Sequence, residues 1–300
     1  MSRLEKPTDF SALLEKYADS SLIPRSSWNT DRERSNSGPS RHDVIRERLS
    51  YRFRSVYQNH SRTYALRESE IFTLTEVGKF RVISAEDLNR FAYDGNQKRL
   101  EQDILHLRQH GLVSQREIEA RNNPKFRVLS LTKNGRQFLR HQNRVPKSQA
   151  LYDRFVKPKE LAHDSELYRL YQKVASEIEY NGGTVRRVVL DYELKEELYR
   201  ALSKADPAKN PEYERMYVAN RHGLKVVDGT IPMPDLRIEY ETEARDIEHI
   251  DLEFATREYR SQGMASKVRA GFHLFARHQD IPRLRRVLNE QELTARIFAL

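Results

Sequence analysis

Two short acidic stretches carry the residue types best suited to metal-assisted chemistry. The first is Ile231-Pro232-Met233-Pro234-Asp235-Leu236-Arg237-Ile238, and sixteen residues beyond Asp235 comes Asp251-Leu252-Glu253-Phe254-Ala255-Thr256. If the two stretches are neighbouring strands, Asp235 opens one and Glu253 ends the next. Their carboxylates then form the oxygen set that Mg²⁺ takes in near-octahedral geometry. Such an ion polarises a scissile phosphate, and an ammonium nearby stabilises charge or activates water; Lys267 is the candidate. The bland alternatives are a turn aspartate after a proline, a surface glutamate and a solvated lysine.

This skeleton resembles the PD-(D/E)xK nuclease fold. The resemblance implies Asp235 and Glu253 as metal ligands, Lys267 as catalytic partner and Glu166, on the preceding helix, as a further carboxylate. One departure stands out: two residues after Glu253 the pattern has Lys, and this chain has Ala255. The resemblance implies that Lys267 replaces it from the helix, or that the site is degenerate.

The elements that would position these groups follow from periodicity. Leu161 to Tyr180 reads as a helix with Leu167, Leu170, Tyr171, Val174 and Ile178 on its buried face. Gly182-Gly183 ends it, and Thr184 to Leu190 is a strand. Glu193 to Arg221 is a charged helical insertion, broken at Asp206-Pro207 and Asn210-Pro211. Leu224–Val227, Pro234–Glu241 and Glu248–Ala255 read as extended. A helix follows from Ser261 to Arg277, and Thr294 to Leu300 is a closing strand.

The preceding part reads helix, helix, helix, strand, turn, strand, helix. Glu70 to Phe80 is the first helix, and Ser84-Ala85-Glu86-Asp87 caps the second. The third runs from Asn96 to His110, with Gly111 at its C-terminal end. Leu112-Val113-Ser114 and Phe126 to Leu131 are strands around the turn Ala120–Pro124, and Thr132 caps a last helix with Phe138 and Leu139. That order is a winged helix-turn-helix. VLSLTKNGRQFL and LRQHGLV resemble the wing-to-helix and helix-to-wing passages of bacterial winged-helix regulators. Leu100, Ile104 and Leu107 face the core, so Asn96, Gln97, Lys98, Arg99 and Gln102 are the candidate readers of base edges. Arg121, Lys125 and Arg127 on the wing are candidate phosphate contacts.

Charge agrees with a polyanion partner. Up to Val145 the chain has 27 Lys and Arg against 18 Asp and Glu; beyond it both counts are 26. The whole +9 excess therefore falls in the first half, where clustered cations release counterions from double-stranded DNA. Zero cysteines exclude disulfides and thiolate metal sites. No apolar run approaches the roughly 20 residues that span a bilayer, and MSRLEKPTDF lacks a secretory pattern; a cytoplasmic protein with no membrane role is expected. There is no phosphate-binding GxxxxGK[ST], no HExxH and no His-x-His pair. Tyr240 and Tyr259 read as packing residues.

The expected organisation is α+β / α/β in two domains. Residues 1–68 form an extension with a short amphipathic helix at Thr8–Asp19, 69–145 the winged helix, and 146–300 a restriction-endonuclease-like α/β domain with an insertion at about 193–221. A winged helix joined to such a domain resembles the replication–relaxation family of plasmids and mobile elements, on LTKNGRQFL, the helix starting at Glu160-Leu161-Ala162-His163-Asp164, PDLRIEYE, and DLEFATRE followed by Lys267. The resemblance implies DNA binding in replication or mobilisation, with Mg²⁺ as cofactor if the site is active. The alternative is a non-enzymatic transcription or copy-number regulator whose C-terminal domain dimerises or recruits a partner. A third is an adaptor using both domains for protein contacts. A homodimer is left open, because no heptad seam marks an interface.

Overall fold

Apolar spacing and caps fold this chain into two main sheets that share one long helix. The computed structural model describes residues 41–50, 53–59, 62–119, 125–155, 158–204 and 210–300. The expected helix at Thr8–Asp19, the turn at Ala120–Pro124 with Arg121, and the break at Asp206-Pro207 lie outside them.

Helix α1 (Arg41–Ser50) and an antiparallel hairpin, β1 (Ser55–Asn59) and β2 (Arg62–Leu66), come first. The hairpin buries Tyr64 and Leu66, and Tyr64 meets Phe138 edge to face at 5.5 Å. Helices α2 (Glu68–Lys79), α3 (Ala85–Ala92) and α4 (Gln97–Gln109) follow. They bury Leu74 and Val77, Leu88, and Leu100, Ile104 and Leu107.

Side-chain caps satisfy backbone N–H groups that a helix start leaves unpaired. Ser84 accepts from the N–H of Asp87, and Asn96 accepts from that of Arg99. Thr132 accepts from Gly135 at the start of α5 (Lys133–His141). Between α4 and α5, β4 (Val113–Ile118) and β5 (Phe126–Leu131) pair antiparallel, and β3 (Ile83–Ser84) completes a sheet of order β3-β5-β4. Gly111, at φ 66°, makes the left-handed turn out of α4.

Helix α6 (Pro158–Tyr180) then crosses to the second sheet. Strands β6 (Thr184–Leu190), β7 (Leu236–Glu241) and β8 (Ile247–Phe254) form an antiparallel meander. Strands β9 (His273–Ala276) and β10 (Ile297–Ala299) add in parallel, giving the order β10-β9-β8-β7-β6. Parallel neighbours need crossovers, supplied by α9 (Ser261–Ala270) and α10 (Ile281–Glu290). Helices α7 (Asp191–Leu202) and α8 (Pro211–Arg221) form the insertion between β6 and β7.

Two expectations are corrected. The helix from Ser261 stops at Ala270 rather than Arg277, because Gly271 adopts φ 92° and closes it. The buried run that follows is β9, and a short apolar run does not distinguish helix from strand by period. Leu224–Val227 is not a strand; only Val227 and Thr230 bridge, across the Asp228-Gly229 turn.

Pro39 to Leu300 is one compact unit. Helix α6 packs on α3, β3 and β4 on one side and on β6, β7 and β8 on the other. Phe80 meets Tyr168 at 5.2 Å, and Val82, Val128 and Leu161 form a shared cluster.

Candidate functional site

Antiparallel register brings the two acidic stretches together. Leu236 pairs with Leu252, so Asp235, one residue before β7, faces Glu253 near the end of β8. The Asp235 N–H donates to Glu253 Oε2 at 3.2 Å, and Asp235 Oδ2 accepts from the N–H of Phe254 at 2.9 Å. Lys267 reaches in from α9 with Nζ 2.8 Å from Glu253 Oε2, and also donates to the Met233 carbonyl. The three side chains converge.

Two residues that sequence reasoning passed over complete the cluster. Tyr259, in the β8–α9 connection, donates its hydroxyl to Glu253 Oε1, so it is more than a packing residue. His163, on α6, places Nε2 3.4 Å from Asp235 Oδ2 and Nδ1 3.6 Å from Asp164 Oδ1. Glu166 does not join the acidic pair. Its carboxylate takes Arg277 at 2.7 Å and Arg169 at 3.2 Å instead. His163 lies three residues earlier, nearly one helical turn, and that spacing from Glu166 was the available clue; nothing in the sequence singles out Tyr259. Ala255 is buried among Met264, Leu274 and Leu284, a setting that would penalise an ammonium.

Electrostatics follow from burial and these partners. Burial, reinforced by the charge of Asp235, pushes the Glu253 carboxyl up to about 7. Burial acts the same way on Asp235, but the hydrogen bond and charge of His163, the charge of Lys267 and the Phe254 N–H outweigh it and hold that carboxyl below its ordinary value. Burial opposes charge on His163, yet bonding to Asp164 and Asp235 carries it up to about 10. Burial and the adjoining Glu253 raise the Tyr259 phenol, so it remains a donor.

The expected Mg²⁺ does not fit this arrangement as it is held. Both Glu253 oxygens accept from protein donors, and Asp235 Oδ1 is the one carboxylate oxygen of the pair without a hydrogen bond among the described residues. Protonated His163 and Lys267 already supply the positive charge. Among the described residues no group of three or more His, Asp or Glu side chains is placed to hold a metal ion.

The second candidate surface is the outer face of α4. Lys98, Gln102, Leu105 and Gln109, spaced i, i+4, i+7 and i+11, form an exposed ridge opposite the buried Leu100, Ile104 and Leu107. Asn96 is exposed with its side-chain oxygen engaged by the cap, and Gln97 donates to Glu101 at 2.6 Å. Arg99 is corrected: its side chain is 13% exposed and turns inward to Asp103 at 3.4 Å and Ser69 at 3.3 Å. The buried Asp103 carboxylate, which also takes Arg67 and Tyr93, needs that countercharge. Arg127 grips Glu101 through both terminal nitrogens, one at 2.9 Å, and ties strand β5 to α4. Lys125 pairs with Glu119 at 3.1 Å in the open.

No family model and no curated protein matches this chain. Among solved structures, Bacillus subtilis PadR in complex with operator DNA is similar to 51% of this chain and 88% of its own, at 13% identity and a TM-score of 0.22. A score that low carries neither fold nor function across. No helix among the described residues is long and apolar enough to cross a membrane.

Proposed function

We propose that this chain binds double-stranded DNA through a winged helix-turn-helix, with α4 in the major groove. Its C-terminal half is then a relative of Mg²⁺-dependent PD-(D/E)xK nucleases whose acidic pair is closed by the chain's own donors. The observation that carries the reading is the α4 ridge, polar at Lys98, Gln102 and Gln109 and free to enter a groove beside the β4–β5 wing. The basic excess before Val145 supports it. The order α6-β6-β7-β8-α9-β9, with Asp235 opposite Glu253, supports the nuclease kinship. Replication or mobilisation of a plasmid or other mobile element is the setting that the sequence resemblance gives this activity. Control of transcription or copy number is the same binding put to regulatory use.

Fluorescence anisotropy with labelled duplex tests the reading. Affinity should fall steeply with salt; a flat salt response, or no binding at low ionic strength, overturns it. Supercoiled DNA incubated with Mg²⁺ or Mn²⁺ should be bound and left uncut. One observation favours the second reading, metal-dependent cleavage: Asp235 and Glu253 sit on adjoining strand ends. Nicking that disappears in Asp235→Ala would establish it in place of the closed site.

A further inference from the structure

We infer that Leu105 makes α4 a reader of A·T base pairs, by apolar contact with thymine methyl groups. This rests on the proposal that α4 enters the major groove and names what it recognises there. Leu105 is 54% exposed at the middle of the outward ridge, between Gln102 and Gln109. An aliphatic side chain at that place gains nothing in water. In a major groove the one apolar group that a base pair offers is the thymine C5-methyl.

The polar neighbours point the same way. Arginine is the usual partner of guanine O6 and N7; two arginines near the ridge are committed elsewhere, while Arg108, beside Gln109, is exposed. Arg99 is held by Asp103, and Arg127 is held by Glu101. The same clamp withdraws Glu101 from cytosine N4, the base donor a carboxylate would accept from. Gln102 and Gln109 remain beside Leu105, and a glutamine amide matches adenine N6 and N7. Lys98 stands at the N-terminal end of the ridge as a point charge for phosphate.

The test uses the full chain and three short duplexes: alternating dA·dT, the same duplex with deoxyuridine replacing thymidine, and alternating dG·dC. Wild type should bind dA·dT tightest and lose about fourfold for each contacted methyl removed by uracil. Leu105→Ala should bind the thymine and uracil duplexes alike while keeping its salt dependence. Its thermal midpoint should be unchanged, since the side chain is on the surface. Equal wild-type affinity for the thymine and uracil duplexes overturns the inference, and so does a thymine preference that survives in Leu105→Ala. Either result, with salt-dependent binding retained, leaves the DNA-binding proposal standing. Failure to bind any of the three duplexes at low salt removes both.

Discussion

Lys267 holds Glu253 across the β8–α9 connection, with Nζ 2.8 Å from Oε2, so the carboxylate that a hydrolytic ion would need is already bound by an ammonium of the same chain. Glu253 is only 1% exposed, and such a charge depends on its partners. Lys267→Met should destabilise the fold by about 3 kcal/mol. Adding Glu253→Gln should recover much of that, because a neutral amide no longer needs the ammonium. Urea denaturation of the four proteins in a double-mutant cycle measures this. Additive losses would mean that the two side chains act separately.

The cluster also sets how stability varies with pH. His163 is raised from 6.5 to about 10, so its contribution is complete below 6.5 and is lost as pH climbs through 10. Glu253 is raised from 4.5 to about 7, so its contribution is present below 4.5 and is lost as pH climbs through 7. Asp235, lowered, acts oppositely, losing its contribution as pH falls below the ordinary carboxylate range. His163→Gln should therefore flatten the decline in urea midpoint between pH 7 and 9.5, and Glu253→Gln the decline between pH 4.5 and 7. Slopes equal to wild type would contradict these assignments.

Arg127 supports α4 rather than offering a bare cation. Its bond to Glu101 lowers that carboxyl and raises the guanidinium. Arg127→Ala should weaken duplex binding by leaving Glu101 facing phosphates, and Glu101→Gln in the same chain should restore most of the loss. Lys98→Ala should instead reduce the salt slope by about 1. Anisotropy titrations separate the two patterns, and no rescue by Glu101→Gln would return Arg127 to direct phosphate contact.

Arg169 joins α6 to α3, with its guanidinium 3.0 and 3.2 Å from the Asp87 carboxylate. Arg169→Ala should cost about 2 kcal/mol, since Asp87 and Glu166 both lose a counterion. Lysine should recover only part, because a point charge does not reproduce a two-pronged contact. Thermal unfolding compares them.

Gly135 and Gly111 should respond differently to alanine. A Cβ at Gly135 would lie 2.2 Å from the Leu112 carbonyl oxygen, so overpacking should cost about 3 kcal/mol. Gly111 has open space but a left-handed backbone, worth about 1 kcal/mol. Reversal of that order in denaturant midpoints would contradict the packing described.

The helices of the first half were legible because their caps are local and their apolar stripes are periodic. Ser84, Asn96 and Thr132 each accept the N–H that the sequence pattern assigns to them. Strands β6, β7 and β8 were legible by alternation and bounding turns. Strand β9 was absorbed into a helix because His273 to Ala276 is a short buried run without a diagnostic period. Helix α10, helix α1 and the β1–β2 hairpin went unread, the last two in a segment whose polar composition masks inward residues such as Tyr64. That Asp235, Glu253 and Lys267 lie together was legible from residue type and spacing. Arg99 was misplaced because the sequence does not reveal that Asp103, four residues on, is buried and demands a cation. His163 was missed because its partner, Asp235, lies far along the chain.

The long helix α6 serves as a common wall for both halves, and this limits how the molecule can be dissected. A fragment ending at Val145 would leave Phe80, Val82 and Val128 wetted, and the complementary fragment would strand Leu161 and Tyr168 without cover. Expressed apart, each piece would carry a bare greasy flank and tend to clump. Shortened versions of this protein should therefore not be divided midway.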